Sequence, residues 1–406
     1  MQKNNENIKK VLLACWLGWL FDGMDSSLYP LVANQAFNEL LGRDDPNFGF
    51  LASVIVALFL VGWAVGGFLF GFLGDKIGRA KALSYSILTY AICSGLSGLA
   101  FSYEQLGFYR FLTGIGIGGE WALGVALLAE TVEPKKRINY SAILATGFPI
   151  GYFIAVLINH LISPFGWRTV FFFGVIPAIL VFFIRKEVDE PEAWKNLEVK
   201  AGSPFEIFKL GKKYSYNLLI AFLLGTSCSI GSWAVLLLWF PIWIENSLHA
   251  GLEGKTIATF TLMIFHTIGC YLAGYLLTNF KRRTVLVLSY FITFISAFYM
   301  YNFLTKFDSS VLILTSILGT SFGIIPASFA IYFPELFPTK VRSTAKGFCY
   351  STGRVFTAIG VLGSGFLVQK FSGDIGKAAA VMSFVFFIGS IISFFAPETN
   401  KEVLPE

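Results

Sequence analysis

Six ionisable side chains sit inside long apolar stretches of this 406-residue chain: Asp22, Asp25, Arg110, Glu120, His266 and Arg354. A charge in such surroundings costs on the order of several kcal/mol unless it is paired or hydrated, so each is a candidate for handling ions or substrate. Asp22 and Asp25 are three residues apart and share one face of a helix. Two carboxylates that close cannot both ionise comfortably in a dry site, so one of them is a candidate proton carrier. The competing reading is an Asp that caps a helix break at Gly23. Arg110 opens the run RFLTGIGIGGE and needs an anion; Asp25 is a plausible partner, and snorkelling to the membrane surface is the alternative. Glu120 lies ten residues further on, about 15 Å deeper in a helix. It is either a second proton site or a fixed acceptor for buried donors.

Arg354, in STGRVFTAIG, carries a guanidinium fork that fits a carboxylate, which makes it the candidate substrate anchor. The alternative is a structural ion pair with Asp22 or Glu120. His266 has no evident partner and reads as a packed, hydrogen-bonded residue. Trp239, Tyr350 and Tyr152 are candidate substrate-contacting rings, drawn from an aromatic supply that also includes Trp16, Trp63, Trp121, Trp233 and Phe240.

The elements that must hold these residues are membrane helices. The chain is 55% hydrophobic and 14% charged, with 44 Phe and a mean hydropathy of +0.67, more apolar surface than a soluble core can bury. Apolar runs of about 20 residues match the thickness of a bilayer. Twelve spanning helices are expected, near 9–36, 48–73, 81–101, 103–131, 138–162, 167–185, 214–245, 254–278, 284–305, 309–336, 342–368 and 375–396. The start, MQKNNENIKK, reads as a short polar tail before a retained first span and not as a signal peptide. With the N-terminus cytoplasmic, the inner tail and loops hold 23 of the 31 basic residues, Lys346 among them, and the outer loops six. That asymmetry places both termini in the cytoplasm. The net charge of +6 is then a topology signal, with no nucleic-acid partner implied. The five cysteines lie in apolar helices without metal-like spacing, so no disulfide, metal or cofactor is expected.

The chain also repeats itself. GFLGDKIGRAK at Gly71 has a degraded copy, GYLLTNFKRRT, at Gly274; Glu130 and Arg137 recur as Glu335 and Arg342; Pro191-Glu192 recurs as Pro397-Glu398. A repeat at half the chain length describes two related halves, here 1–185 and 214–406, with the transport path between them. Residues 186–213 form a linker in which Ser203-Pro204 starts a short amphipathic helix on the inner membrane surface. Asp75, Arg79, Glu130 and Arg137, mirrored by Arg282, Glu335 and Arg342, are expected to form a cytoplasmic gate of ion pairs. The second copy has Thr278 where the first has Asp75, so the N-terminal latch should be the stronger. Pro149 occupies the repeat position of Arg354, so this cation is not part of the shared scaffold.

GFLGDKIGRAK resembles the signature loop of the major facilitator superfamily, G-x3-D-x2-G-R-x-[KR], at Gly71, Asp75, Gly78, Arg79 and Lys81. RFLTGIGIGGEW and YFPELFPTKVRSTAKGF place the resemblance near its metabolite–proton symporters and sugar porters. FDGMD is similar to the helix 1 motif of aromatic acid, nicotinate and sialic acid symporters, and an Arg in helix 11 is similar to that of organic-anion carriers. Asp25 and Arg110 also match the Asp–Arg pair of sugar symporters. The chain lacks the long outer loop of animal organic-ion carriers, as in bacterial-type proteins. The resemblance implies an all-α membrane fold of two pseudo-symmetric six-helix halves, in a multi-pass inner-membrane protein.

The expected function is proton-coupled import of a small organic anion, with Arg354 holding its carboxylate, Asp25 aided by Asp22 carrying the proton, and Arg110 tuning it. A sugar or polyol symporter and a metabolite or drug exporter are the rivals. No nucleophile–base set or nucleotide loop is present, which argues against an enzyme. The expected partners are a small-molecule substrate, protons and the lipid bilayer, and the protein is expected to act as a monomer.

Overall fold

Long runs of Leu, Ile, Val, Phe and Ala, broken by turn residues at roughly bilayer-sized intervals, can satisfy their backbone in lipid only as helices. The computed structural model describes every residue except Met1, 42–47, 163–164, 197–202, 210, 238, 352, 373, 400–404 and 406. The side chain of Tyr350, and Arg43, Lys200, Thr352 and Lys401, thus lie outside the described residues. Every regular element among those described is helical. The first set is α1 (Gln2–Leu40), α2 (Phe48–Ile77), α3 (Arg79–Ser97), α4 (Tyr103–Thr131), α5 (Pro134–Ala145), α6 (Gly147–Ile162), α7 (Trp167–Phe172) and α8 (Pro177–Glu187). A short α9 (Glu192–Lys195) precedes the second set: α10 (Lys212–Ile230), α11 (Trp239–Asn246), α12 (Gly251–Asn279), α13 (Arg282–Phe303), α14 (Ser309–Leu336), α15 (Arg342–Lys346), α16 (Gly353–Lys370) and α17 (Ile375–Phe394).

Nine helical spans among the described residues are long and apolar enough to cross a membrane. The three other expected spans are helical but fall short of that measure. Around 9–36 and 81–101 the reason is polar content turned inward: Asp22, Asp25, Ser26 and Ser27 in α1, and Ser84, Ser86, Ser94 and Ser97 in α3, are all buried. The 167–185 span is divided into α7, a 3-10 turn and α8. Two further helices change pitch, with π turns at Gly231–Leu237 and Gly347–Ser351. The amphipathic helix expected from Ser203 is a six-residue 3-10 turn, Pro204–Lys209, with Ile207 buried and Phe205 and Phe208 set against Phe68 and Phe348.

Small residues let the helices meet. A Cβ on Gly62 or Gly66 of α2 would strike the Phe111 or Ile115 carbonyl of α4, and one on Gly114 or Gly118 would strike Phe59 or Trp63 of α2. The two ridges face each other at backbone contact. In the second set Gly269 of α12 and Gly319 and Gly323 of α14 meet in the same way. Across the two sets, α2 runs along α15, the π turn and α16, while α12 runs along α5 and α6. The packing therefore repeats as the sequence does.

The turn from α2 to α3 is one residue long, Gly78, with φ +113°, a backbone conformation that glycine adopts without strain. There the Glu190 carboxylate accepts from the backbone N–H of Ala80 and Lys81, a negative charge at a helix start. Glu398 does the same for Arg282 and Arg283 at the start of α13. The sequence repeat pairs Glu398 with Glu192; in the fold Glu190 takes the capping role, and Glu192 pairs with Lys195 on the surface.

Gly66→Val should abolish a monodisperse folded peak in detergent size-exclusion chromatography, because the added carbons meet backbone and the cost reaches or exceeds the about 1–3 kcal/mol typical of overpacking. Gly363→Val, at a site with nothing within 4 Å of the added carbon, should leave the peak unchanged.

Candidate functional site

At the end of the bundle where α2 meets α15, four charged side chains are fully buried: Asp75, Arg79, Glu130 and Arg342. Arg79 Nε lies 3.1 Å from Glu130 Oε2, and Arg79 also donates to the Gly74 and Thr339 carbonyls at 2.7 and 2.8 Å. Arg342 Nη1 reaches the other oxygen of Glu130 at 2.7 Å. Asp75 lies 3.1 Å from Arg79 and accepts from the backbone N–H of Ser343 and Thr344 at 3.2 and 2.8 Å. A carboxylate of α2 thus caps the start of α15, and one of α4 is shared by guanidinium groups of both helix sets.

The mirrored position is weaker. Arg282 pairs with Glu335 at 2.7 Å and Thr399 donates to that carboxylate, but all of these belong to the second set. Thr278, in the place of Asp75, bonds back to Gly274 of its own helix. Arg137 is buried and its Nε donates to the Ala129 carbonyl.

Deeper in, a cavity is lined by both sets: Trp19, Trp121, Ala145 and Phe148 on one side, Cys228, Ser229, Ser232, Trp233, His266, Phe322, Pro326 and Arg354 on the other. Its rings are already organised. Trp19 and Trp121 centroids are 4.1 Å apart, Trp19 and Phe148 5.0 Å, and His266 meets Phe322 edge-on at 5.2 Å. The Arg354 guanidinium lies 3.3 Å from the centroid of Trp63, a close cation–π stack that holds it at the cavity wall. The π turn Gly231–Leu237 carries Ser232 and Trp233 into the lining.

Asp22 and Asp25 are turned to different neighbours. Asp25 accepts from Ser94 Oγ and from Arg110 Nη1 at 3.1 Å, while Arg110 Nη2 donates to the Asp25 carbonyl at 3.2 Å and the guanidinium lies over Phe59 and Phe171. Asp22 instead adjoins Glu120, with the Tyr90 hydroxyl beside it. Gly18 makes the room, since a Cβ there would collide with the Glu120 carboxyl. None of the four Asp22 and Glu120 carboxyl oxygens has a hydrogen-bond donor among the described residues. Two bare carboxylates in contact are costly to bury, whereas a single proton between them supplies the missing donor.

Sequence reasoning placed Arg354, Asp22, Asp25, Arg110 and Glu120 in the interior and the latch residues at the inner ends of the helices. It missed several others. Trp239 and Tyr152 are not among the residues lining the cavity, where Trp19, Trp121, Phe148 and Trp233 stand instead. Nothing in the spacing of Trp and Phe distinguishes a ring facing the cavity from one facing lipid. Ser94 was missed because a lone serine in an apolar helix carries no signal. Lys346, counted with the loop cations, is fully buried.

A sequence profile of the Major Facilitator Superfamily matches residues 15–361 and, in an overlapping second match, 222–405. The chain is 31% identical over 388 residues to a probable 4-methylmuconolactone transporter of Cupriavidus pinatubonensis, covering 93% of this chain and 86% of that one. It is 30% identical over 398 residues to a cis,cis-muconate transport protein of Acinetobacter baylyi, covering 95% and 93%. Among solved structures, the fold matches a proton:xylose symporter bound to 6-bromo-6-deoxy-D-glucose with a TM-score of 0.84 at 18% identity, over 99% of this chain and 98% of that one.

The latch gives a direct test. Asp75→Ala removes the charge-assisted bonds that cap α15, each worth about 1.5–3 kcal/mol, and should raise the population with this end open about tenfold or more. In a Thr339→Cys background, maleimide labelling should quicken accordingly; the native cysteines are all buried. An unchanged labelling rate would show that Asp75 does not hold the latch.

Proposed function

This chain belongs to the Major Facilitator Superfamily, and on that premise we propose that it imports a small organic anion, a carboxylate, in symport with a proton by alternating access. It is a multi-pass inner-membrane transporter and not an enzyme. The observation that carries the proposal is the joint placement of Arg354 in an aromatic cavity between the helix sets and, nearby, an acid pair whose oxygens accept no hydrogen bond among the described residues. A guanidinium fork can hold a carboxylate through two parallel bonds, and the indole and phenyl walls suit a planar or conjugated body. The lining contains no Asn or Gln among the described residues, which weighs against a sugar. The muconate and muconolactone transporters among the relatives support the same substrate class.

In this reading Asp22 and Glu120 hold the coupling proton, and Asp25 with Arg110 and Ser94 pins α1 to α3 and α4. The residues facing the acid pair are Tyr90 of α3, Asp25 of α1 and Arg354 of α16. A proton on the pair leaves Arg354 less engaged by Asp22 and more available to an anion, which couples the two bindings through charge. The latch face is taken as cytoplasmic, with residues 1–185 and 214–406 rocking as two bodies joined by 186–213. Opening the latch then releases substrate inward.

Uptake of radiolabelled benzoate, nicotinate, sialic acid, cis,cis-muconate and xylose into proteoliposomes under imposed pH gradients tests the reading, since one proton carried with one monoanion moves no net charge. A pH-dependent signal for an acid and none for xylose is expected. Arg354→Gln should weaken the responding acid about tenfold or more. Asp22→Asn with Glu120→Gln should stop accumulation driven by a pH gradient while sparing exchange of labelled for unlabelled anion. A signal for xylose alone would return Arg354 to a structural role, and accumulation by the double variant would show that the proton travels elsewhere.

A further inference from the structure

One buried cation stands outside this scheme, and its role rests on the reading of Arg354 as the anion site. Lys346 closes α15 and is 0% exposed, and its ammonium has no hydrogen-bond partner among the described residues. The charges near it are engaged elsewhere: Glu130 is shared by Arg79 and Arg342, and Arg342 is fixed by Glu130 and the carbonyls of Pro334 and Phe337. An ammonium offers three donors, and burying it with none used is expensive unless a ligand or another conformation takes them up. Its surroundings indicate which ligand. The Lys346 ammonium lies 5.7 Å from the centroid of the Trp121 ring, and Trp121 is also a wall of the cavity that contains Arg354. One indole therefore separates the anion cavity from a second cation on the latch side. Between the two cations the helix passes through the π turn Gly347–Ser351, a local change of pitch of the kind found at working positions.

We propose that Lys346 is a second anion station, which takes over the substrate carboxylate from Arg354 when the Asp75 and Glu130 contacts release and Trp121 moves aside. A lone tight site would retain the anion; a second cation just inside the gate gives it a step toward release at the latch face, as multi-site conduction requires. Lysine suits a transient station, being a point charge on a flexible stem without the directional fork of arginine.

The test separates binding from release. Wild type, Lys346→Met, Lys346→Arg and Arg354→Gln are compared with labelled benzoate, nicotinate and cis,cis-muconate, by equilibrium binding in detergent and by transport from either face of oriented vesicles. Lys346→Met should bind within about twofold of wild type but show a KM about tenfold or more higher for anion presented at the latch face, the loss expected for one charged hydrogen-bonding partner. Lys346→Arg should largely restore it. Wild-type KM on both faces in Lys346→Met, or equal impairment in Lys346→Arg, overturns the proposal. If Lys346→Met does not fold, Lys346→Gln carries the same comparison with the same outcomes. Loss of binding in Arg354→Gln with normal Lys346→Met kinetics defeats this inference alone. Normal binding in Arg354→Gln defeats the anion-site reading and this inference with it.

Discussion

Arg79 and Arg342 meet on one carboxylate, Glu130, inside a closed end of the bundle. Arg79 and Glu130 come from the first helix set and Arg342 from the second, so the shared carboxylate ties the two sets together. Burying three charges is tolerable only if every lone pair and donor finds a partner at good geometry. The backbone carbonyls of Gly74, Thr339, Pro334, Phe337 and Pro405 accept further guanidinium donors, and Asp75 adds to the set by capping α15. In the proposed gate this arrangement would part along the line where the sets meet.

The rest of the interior departs from this completeness in a patterned way. Both oxygens of Asp25 are taken, by Arg110 and Ser94, although Arg110 Nε has no hydrogen-bond partner among the described residues. Asp22, Glu120 and Lys346 do not have such partners among the described residues. Unsatisfied charge is expensive in a low-dielectric interior and persists where a mobile species completes it. In the proposed function a proton completes the acid pair, and in the further inference an anion completes Lys346. The fixed pairs hold helices in place, while the incomplete groups line or adjoin the cavity between the sets.

The asymmetry of the repeat follows from single residues. Asp75 reaches across to α15, whereas Thr278 bonds within α12, so only one copy of the signature loop grips the opposite set by a carboxylate. Arg354 stands where the first copy has Pro149, and the cation exists on one side alone. Duplicated packing supplies the frame, in the glycine ridges of α2 with α4 and α12 with α14, and unshared residues supply its direction.

Much of this was legible in the sequence, because lipid leaves few choices. Apolar runs of bilayer length must be helices, intramembrane charges must have a purpose, and a repeat of Gly71–Lys81 and Glu130–Arg137 must mean two related packing units. The all-helical class and Arg354 as an interior cation follow from local composition and spacing, and the family from the resemblance of GFLGDKIGRAK to its signature loop. What the chain could not disclose is which groups face each other across helices. The pair of Asp25 with Arg110 was offered by the sequence, but Asp22, which lies nearer Asp25 than Glu120 along the chain, is turned by the fold to Glu120. Lys346 reads as a loop cation because it follows Arg342 and Lys340, and only the contact of α15 with α2 and α4 buries it against Trp121. Trp19, Trp121 and Trp233 were indistinguishable from rings that face lipid until the helices were assembled. Spacing along one helix sets which residues share its face; the rotation and close approach of its neighbours decide what that face meets, and those depend on glycine contacts distributed over the whole chain.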